Sequence, residues 1–261
     1  LAGNPTQEVR GFSYDYAYDP IGNRVSSTEY DHENNPLASS YTANALNQYE
    51  QRTIPGYAAV RGSATNTAVV TVNGNPTWRL DDYFYGGDEA DNSTTAIMKE
   101  LAIIAAHSNH YAAATGHVFV AQTPEVFQYD DDGNLLSDGR WQYTWDAENR
   151  LIGVTTHDNL PVSIPRVRVT HRYDHQSRRI ATTAAIWTNS TWQSTEARSF
   201  TYDGWNEIAE TISDNQSITN LYVWGLDLSG SLHGAGGIGG LLSACFEGTT
   251  TAFYTYDANG N

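Results

Sequence analysis

The sequence predicts an all-β fold assembled from antiparallel hairpins, and three observations support this. Aromatic residues make up 12% of the chain, with 17 Tyr and 7 Trp, and these residues suit pleated, half-buried surfaces. Residues that fill helix surfaces are sparse, and Lys99 is the single lysine. An aromatic residue followed by Asp and a turn recurs along the chain, and such internal similarity indicates repeated structural units.

The repeated motif predicts strand–turn–strand units. Seven aromatic–Asp pairs carry this prediction: Tyr14-Asp15, Tyr18-Asp19, Tyr129-Asp130, Trp145-Asp146, Tyr173-Asp174, Tyr202-Asp203 and Tyr256-Asp257. The aromatic residue is expected to end a strand, and the Asp to accept backbone N–H groups in the turn. The Gly or Asn that follows tolerates a positive φ. We therefore interpret these carboxylates as structural and predict no catalytic residue among them.

Several of these segments resemble the YD repeats of the RHS family, which includes bacterial polymorphic toxins, toxin-complex shell components and teneurins. The resemblance rests on the tails 18–24, 129–135 and 256–261 and on the segments 222–232 and 234–242, which are similar to the start of the family's core segment. It covers roughly 11–52 and 118–261. The resemblance implies a curved spiral sheet of YD-repeat hairpins, here an open shell fragment. It also implies that the partners are the remainder of the parent chain and an encapsulated C-terminal toxin, in a secreted or cell-surface bacterial protein.

The predicted organisation has four parts: YD repeats over 1–52, a β-rich insertion over 53–124, further repeats over 125–221, and the core-segment start over 222–261. The insertion is expected to be small and β-sandwich-like. Within it, 69–76 predicts a strand and tight turn, and 78–85 predicts one further strand. Residues 96–107 have a helix-favouring composition, but their β surroundings favour a strand. The chain starts without Met and ends inside a motif, so we expect a fragment of a longer protein.

Charge and composition exclude several classes of function. The net charge is −16 with only 14 basic residues, which argues against nucleic-acid partners and anionic membrane surfaces. No apolar run is long enough to predict a membrane span, and Cys245 is the only cysteine. We predict no cofactor and no metal. The 234–239 segment satisfies G-x-G-x-x-G but has no long helix after it, Asp130–Asp132 fails the calcium-loop pattern, and His107 with His110 is a weak zinc candidate.

Exposed tryptophans provide the best binding hypothesis. Trp187, Trp192 and Trp205 lie near turns, beside the polar Asn189, Gln193 and Asn206. Aromatic rings can stack on sugar faces, although packing in the sheet is the competing interpretation. The function hypotheses are thus a structural shell or scaffold fragment, a glycan- or receptor-binding β module, and a hydrolase, such as a glycosidase, that uses two carboxylates. Exposed sheet edges also suggest a dimer.

Overall fold

The computed structural model describes residues 9–214, 216–247 and 249–257. These residues form strands, turns and loops and contain no α-helix, so no helix in this part of the chain has the length and apolar character needed to cross a membrane. The chain divides into two compact units, residues 1–141 with 157–164 and residues 142–156 with 165–261. The predicted all-β class is confirmed.

The described residues of the first unit form fourteen strands. They are β1 (Asp15–Tyr18), β2 (Arg24–Tyr30), β3 (Pro36–Ala43), β4 (Tyr49–Arg52), β5 (Tyr57–Ser63), β6 (Val69–Val72), β7 (Asn75–Pro76), β8 (Trp78–Leu80), β9 (Tyr83–Glu89), β10 (Ile97–His107), β11 (His110–Val120), β12 (Glu125–Val126), β13 (Gln128–Tyr129) and β14 (Leu135–Ser137). One sheet has the order β1-β2-β3-β4-β12, and β13 pairs with β14.

Two further sheets form the insertion, with orders β5-β9-β8 and β11-β10-β6-β7. The core of the unit lies between them, because both sheets contribute its buried apolar residues. These are Ala58 from β5, Val72 from β6, Leu101 from β10 and Val120 from β11, with Ala90 beside them. This packing of two sheets on one apolar layer is the sandwich-like arrangement that the sequence predicts.

The second unit is an antiparallel meander in which each strand pairs with the next. Its strands are β15 (Trp141–Trp145, of which Trp141 belongs to the first unit), β16 (Leu151–Thr156), β17 (Val167–Tyr173), β18 (Arg179–Thr188), β19 (Thr191–Asp203), β20 (Asn206–Ser213), β21 (Ser217–Trp224), β22 (Leu241–Phe246) and β23 (Thr250–Phe253). Short turns join most of them, as the motif predicts.

The insertion departs from the sequence-based expectations in one detail. The single strand predicted over 78–85 is two strands, β8 and β9, because the chain turns at Asp81, which has a φ of 50°. The strand favoured over 96–107 is confirmed as β10, although the composition of this segment favours a helix. Strands β6 and β11 pair with its two edges, and this tertiary pairing outweighs the helix propensity of its Ala, Leu and Glu residues.

Candidate functional site

Among the described residues, one five-residue turn occurs six times and uses most of the motif carboxylates. It begins at Asp19, Asp31, Asn44, Asp130, Asp146 and Asp174. In each copy the side-chain Oδ1 of the first residue accepts the backbone N–H groups of the third and fifth residues, at 2.8–3.1 Å. The first and fifth residues are also joined by a backbone hydrogen bond of 2.8–3.0 Å. The carboxylates are therefore acceptors inside their own turns.

The fourth position of the turn always has a positive φ. The values are 95° at Gly22, 75° at Asn34, 62° at Asn47, 88° at Gly133, 57° at Asn149 and 62° at Ser177. Gly adopts this conformation without a Cβ clash, and Asn tolerates it better than most other residues. This requirement explains why Gly or Asn follows most of the motif Asp residues at a spacing of three.

The fifth residue binds the second oxygen of the Asp. Asn23, Asn35 and Asn134 donate an amide N–H to Oδ2 of their Asp at 2.9–3.0 Å. Arg150 donates to Asp146 Oδ2 from Nε and Nη2, at 2.8 and 2.7 Å, and Arg178 does the same to Asp174. Such charge-assisted bonds are stronger than neutral ones.

Two motif tyrosines of the second unit hydrogen-bond to the first residue of the preceding strand. The Tyr173 hydroxyl donates to the Leu151 carbonyl at 2.9 Å, and the Tyr202 hydroxyl donates to the Arg179 carbonyl at 3.0 Å. The Arg150 guanidinium lies 5.1 Å from the Tyr173 ring, and Arg178 lies 5.2 Å from Tyr202. Successive turns of the second unit are thus linked by one Asp–Arg–Tyr series, in which the arginine provides both an ion pair and a cation–π contact.

These hydrogen bonds keep the turn carboxylates ionised. For Asp130 the side-chain bond from Asn134 is the largest cause of a lowered pKa, and for Asp146 it is the bond from Arg150. For Asp31 burial raises the pKa most strongly, but the bonds from Asn35 and Glu33 together outweigh it and lower the pKa. A general acid needs a raised pKa, so this turn geometry disfavours proton donation.

The turn bonding predicted for Asp15 and Asp203 is wrong. Asp15 is the first residue of β1, and its Oδ2 accepts the Tyr30 hydroxyl at 2.7 Å. Tyr202 and Asp203 pair with Glu207 and Asn206, so a two-residue turn at Gly204–Trp205 closes this hairpin. In this shorter turn the third and fifth residues, Trp205 and Glu207, do not donate to the carboxylate, and within the described residues the exposed Asp203 side chain accepts no hydrogen bond. The turn predicted after Tyr256-Asp257 falls on 258–261, outside the described residues.

Two copies of the turn were missed from sequence. Tyr30-Asp31 is a further aromatic–Asp pair, and Asn44 replaces Asp at the first position of its turn. The signal that finds both is an Asp or Asn followed three residues later by Gly, Asn or Ser and four residues later by a polar side chain. That spacing follows the hydrogen-bond geometry, but Asp203, with Asn206 three residues later and Glu207 four residues later, also fits it, so the spacing alone does not exclude Asp203.

The structure brings two of the three candidate tryptophans together. Trp187 and Trp192 are cross-strand partners near the tip of the β18–β19 hairpin, with ring centroids 5.4 Å apart and an interplanar angle of 69°. Trp187 is 40% exposed, and the Arg168 guanidinium lies 4.5 Å from the Trp192 ring. Trp205 is 63% exposed but follows the far end of β19, about 35–40 Å along the strand from Trp192 at roughly 3.3 Å per residue.

The backbone of the glycine-rich segment 234–239 donates hydrogen bonds to the buried carboxylate of Asp227. Asp227 is 5% exposed, and its Oδ2 accepts the N–H groups of Ala235 at 2.6 Å and Gly237 at 3.2 Å. Its Oδ1 accepts the Ser229 hydroxyl and N–H. The Ser229 hydroxyl bond, followed by the backbone bonds, lowers the pKa of Asp227 to about 2. The backbone donors that could cradle a phosphate are occupied by this anion, which disfavours a nucleotide site.

The first unit contains a cavity of about 560 Å³. Six aromatic rings line it: Tyr14, Tyr16, Tyr41, Tyr57, Phe119 and Trp141. Its three arginines are balanced by three carboxylates, so the lining has no formal net charge. Arg52 and Glu125 form an ion pair at 2.5 Å, and Arg24 lies 4.5 Å from the Tyr16 ring. The size is typical of small-molecule sites, and the neutral aromatic lining suits an uncharged polar ligand.

The described residues contain no group of three or more His, Cys, Asp or Glu side chains placed to hold a metal ion. His107 and His110 face each other across the two-residue turn at Ser108–Asn109. The His107 Nδ1 lies 3.5 Å from the Thr67 carbonyl oxygen. Two imidazoles without a third ligand do not complete a zinc site of the usual kind.

Part of the chain is similar to two curated bacterial proteins. The tRNA3(Ser)-specific nuclease WapA of Bacillus spizizenii is 31% identical over 140 residues, which is 52% of this chain and 5% of that protein. The tRNA nuclease WapA of Bacillus subtilis strain 168 is 34% identical over 104 residues, which is 39% of this chain and 4% of that protein. The chain therefore spans only about a twentieth of the length of these relatives.

Among solved structures, TcdB2-TccC3 without its hypervariable C-terminal region aligns with 82% of this chain and 11% of its own, at 13% identity and a TM-score of 0.25. TcdB2-TccC3-TEV aligns with the same shares at 14% identity and the same TM-score. No family model matches the chain.

Proposed function

We propose that the chain is a non-catalytic β-scaffold segment of a larger RHS-type protein, in which the motif carboxylates stabilise hairpin turns. The observation that carries this is the repetition of one turn geometry with its Asp or Asn acceptor bonded inside the turn. A catalytic carboxylate needs a free lone pair directed at substrate, whereas these accept from neighbouring backbone amides. The Asp–Arg–Tyr series of the second unit extends this stabilisation from turn to turn.

The parent protein in this proposal is a secreted or cell-surface bacterial toxin. The partial similarity to the WapA nucleases supports a toxin-like parent, and the acidic composition argues against the chain itself being the part that binds tRNA. The remainder of the parent chain and a C-terminal toxin are its proposed partners. In this proposal the chain contributes a stable β-sheet to the parent protein.

The scaffold proposal is tested by separating stability from activity. In the second unit, Asp174→Ala removes an acceptor with bonds to Gln176 and Arg178, while Asp203→Ala removes a carboxylate without such bonds. We expect Asp174→Ala to lower the thermal midpoint and Asp203→Ala to leave it unchanged. The same proteins are assayed with chromogenic glycosides, esters and tRNA, and no turnover is expected. Turnover by the wild-type chain that Asp174→Ala abolishes without a change in thermal midpoint would contradict the proposal.

Glycan binding is the second candidate function, and the neutral, aromatic-lined cavity of the first unit favours it over a charged ligand. Tyr16 and Trp141 present rings in this lining, and aromatic rings stack on the apolar faces of sugars. A glycan array with the purified chain tests this, with Trp141→Ala as the cavity variant. Trp187→Ala and Trp192→Ala test the tryptophan pair predicted from sequence. If only Trp141→Ala loses glycan binding, the binding site is the cavity. An array on which the wild-type chain binds no glycan refutes this function.

A further inference from the structure

Strand β11 forms an unusually exposed sheet edge. It is an edge strand in the order β11-β10-β6-β7 and has eleven residues, whereas every other edge strand of the described sheets has seven or fewer. Side chains alternate between the two faces of a strand. All residues from His110 to His117 are nevertheless exposed, so neither face is covered over this stretch. We call residues 110–117 the open edge.

The open edge lacks the features that normally prevent strand pairing. Natural edge strands carry charges, proline or bulges, or are short. Residues 101–124 contain no Asp, Glu, Lys or Arg, and β11 contains no proline. Its register with β10 runs without a bulge from Ile97↔Val120 to His107↔His110. In a chain with a net charge of −16, this uncharged segment is a surface where two copies can approach without like charges facing each other.

The hairpin register defines which backbone groups are available. A two-residue turn closes the β10–β11 hairpin between His107 and His110, and residues that close such a turn exchange both backbone hydrogen bonds. Alternate residues from His110 therefore bond to β10. Tyr111, Ala113, Thr115 and His117 direct their N–H and C=O groups away from it, toward the unpaired side.

We infer that the open edge is a homodimer interface in which β11 pairs antiparallel with β11 of a second copy. In the pairing centred on Ala114, Ala113 faces Thr115 of the other copy and Tyr111 faces His117. An edge strand is complementary to its own antiparallel copy because its outward donors and acceptors alternate. The four outward residues of each strand then form about eight backbone hydrogen bonds. A two-fold axis makes the contact closed and isologous, and its short length implies a dimer that dissociates on dilution.

The first test measures the oligomeric state by sedimentation velocity over a concentration series. Ala113→Lys places a charge in the centre of the pairing, and Ala113→Pro removes an outward N–H without breaking a bond to β10. Ser199→Lys adds the same charge at an exposed position of β19 that is paired on both sides, with Ala181 of β18 and Thr211 of β20. We expect the wild type and Ser199→Lys to dimerise and both Ala113 variants to remain monomeric, with unchanged circular dichroism. A monomeric wild type, or a dimer that persists in Ala113→Lys, overturns the inference.

The second test identifies the register by disulfide crosslinking in a Cys245→Ser background. In the inferred pairing Ala114 faces its own copy at a non-hydrogen-bonded position, where Cα atoms are about 4.5 Å apart, within disulfide range. Ala114→Cys should therefore crosslink under mild oxidation. Ala106→Cys, on β10 between two paired strands, should remain uncrosslinked. Equal crosslinking of the two variants would indicate random collision and overturn the inference.

Discussion

The turn that begins at Asp31 provides the sharpest quantitative prediction. Asp31→Ala removes three hydrogen bonds: Oδ1 accepts the N–H groups of Glu33 at 2.9 Å and Asn35 at 2.8 Å, and Oδ2 accepts the Asn35 amide at 2.9 Å. A protein hydrogen bond contributes a net ~0.5–1.5 kcal/mol, and the exposed turn lets water replace part of that. We expect a loss of about 1–2 kcal/mol in the free energy of unfolding of the first unit.

The loss should be graded by the number of bonds removed. Asp31→Asn retains an Oδ1 acceptor for both backbone amides but directs an NH2 group at the Asn35 amide. We therefore expect a smaller loss, under about 1 kcal/mol. Asp132→Ala is the matched control in the same unit, because this exposed carboxylate accepts no hydrogen bond among the described residues.

Urea unfolding, followed by fluorescence and circular dichroism, measures these differences, and thermal melts provide an independent value. For a unit of about 150 residues, 1 kcal/mol corresponds to roughly 2–4 °C in thermal midpoint. Asp31→Ala should melt several degrees below the wild type, with Asp31→Asn between them and Asp132→Ala at the wild-type midpoint. Equal midpoints for Asp31→Ala and Asp132→Ala would refute the argument that the intraturn bonds stabilise the fold.

Three further perturbations test the second unit. Arg178→Lys should lower the urea midpoint, because an ammonium replaces the two-nitrogen contact with Asp174; a midpoint equal to the wild type would argue against that contact. Tyr173→Phe should cost about 1 kcal/mol through the lost Leu151 bond, measured by urea unfolding. Because the pKa of Asp227 is lowered from 3.8 to about 2, its stabilising effect is present above pH 4 and lost as pH falls toward 2. Melts from pH 2 to 6 should show this loss in the wild type and a weaker one in Asp227→Asn.

The sequence alone determined the all-β class and most of the turn positions. Both depend on local chemistry: Asp130, Gly133 and Asn134 provide an acceptor, a positive φ and a second donor within five residues, whatever the rest of the chain does. Asp15 and Asp203 depart from this pattern, and at Asp203 the cause is the register between two strands. Register with Asn206 shortens that turn to two residues, and the pairing of β19 with β20 cannot be inferred from the Tyr-Asp pair itself.

Tertiary structure alone decided the features that depend on which strands become neighbours. Residues 97–107 are a strand because β6 and β11 flank them, although their composition favours a helix. Trp187 and Trp192 are in contact because the hairpin register places them opposite each other. Trp205 lies beyond the other end of β19, far from this pair. The cavity and the open edge likewise arise from long-range pairing. Hydrogen bonds within a turn span five residues and can be read from spacing, whereas sheet neighbours depend on the burial free energy of the whole unit.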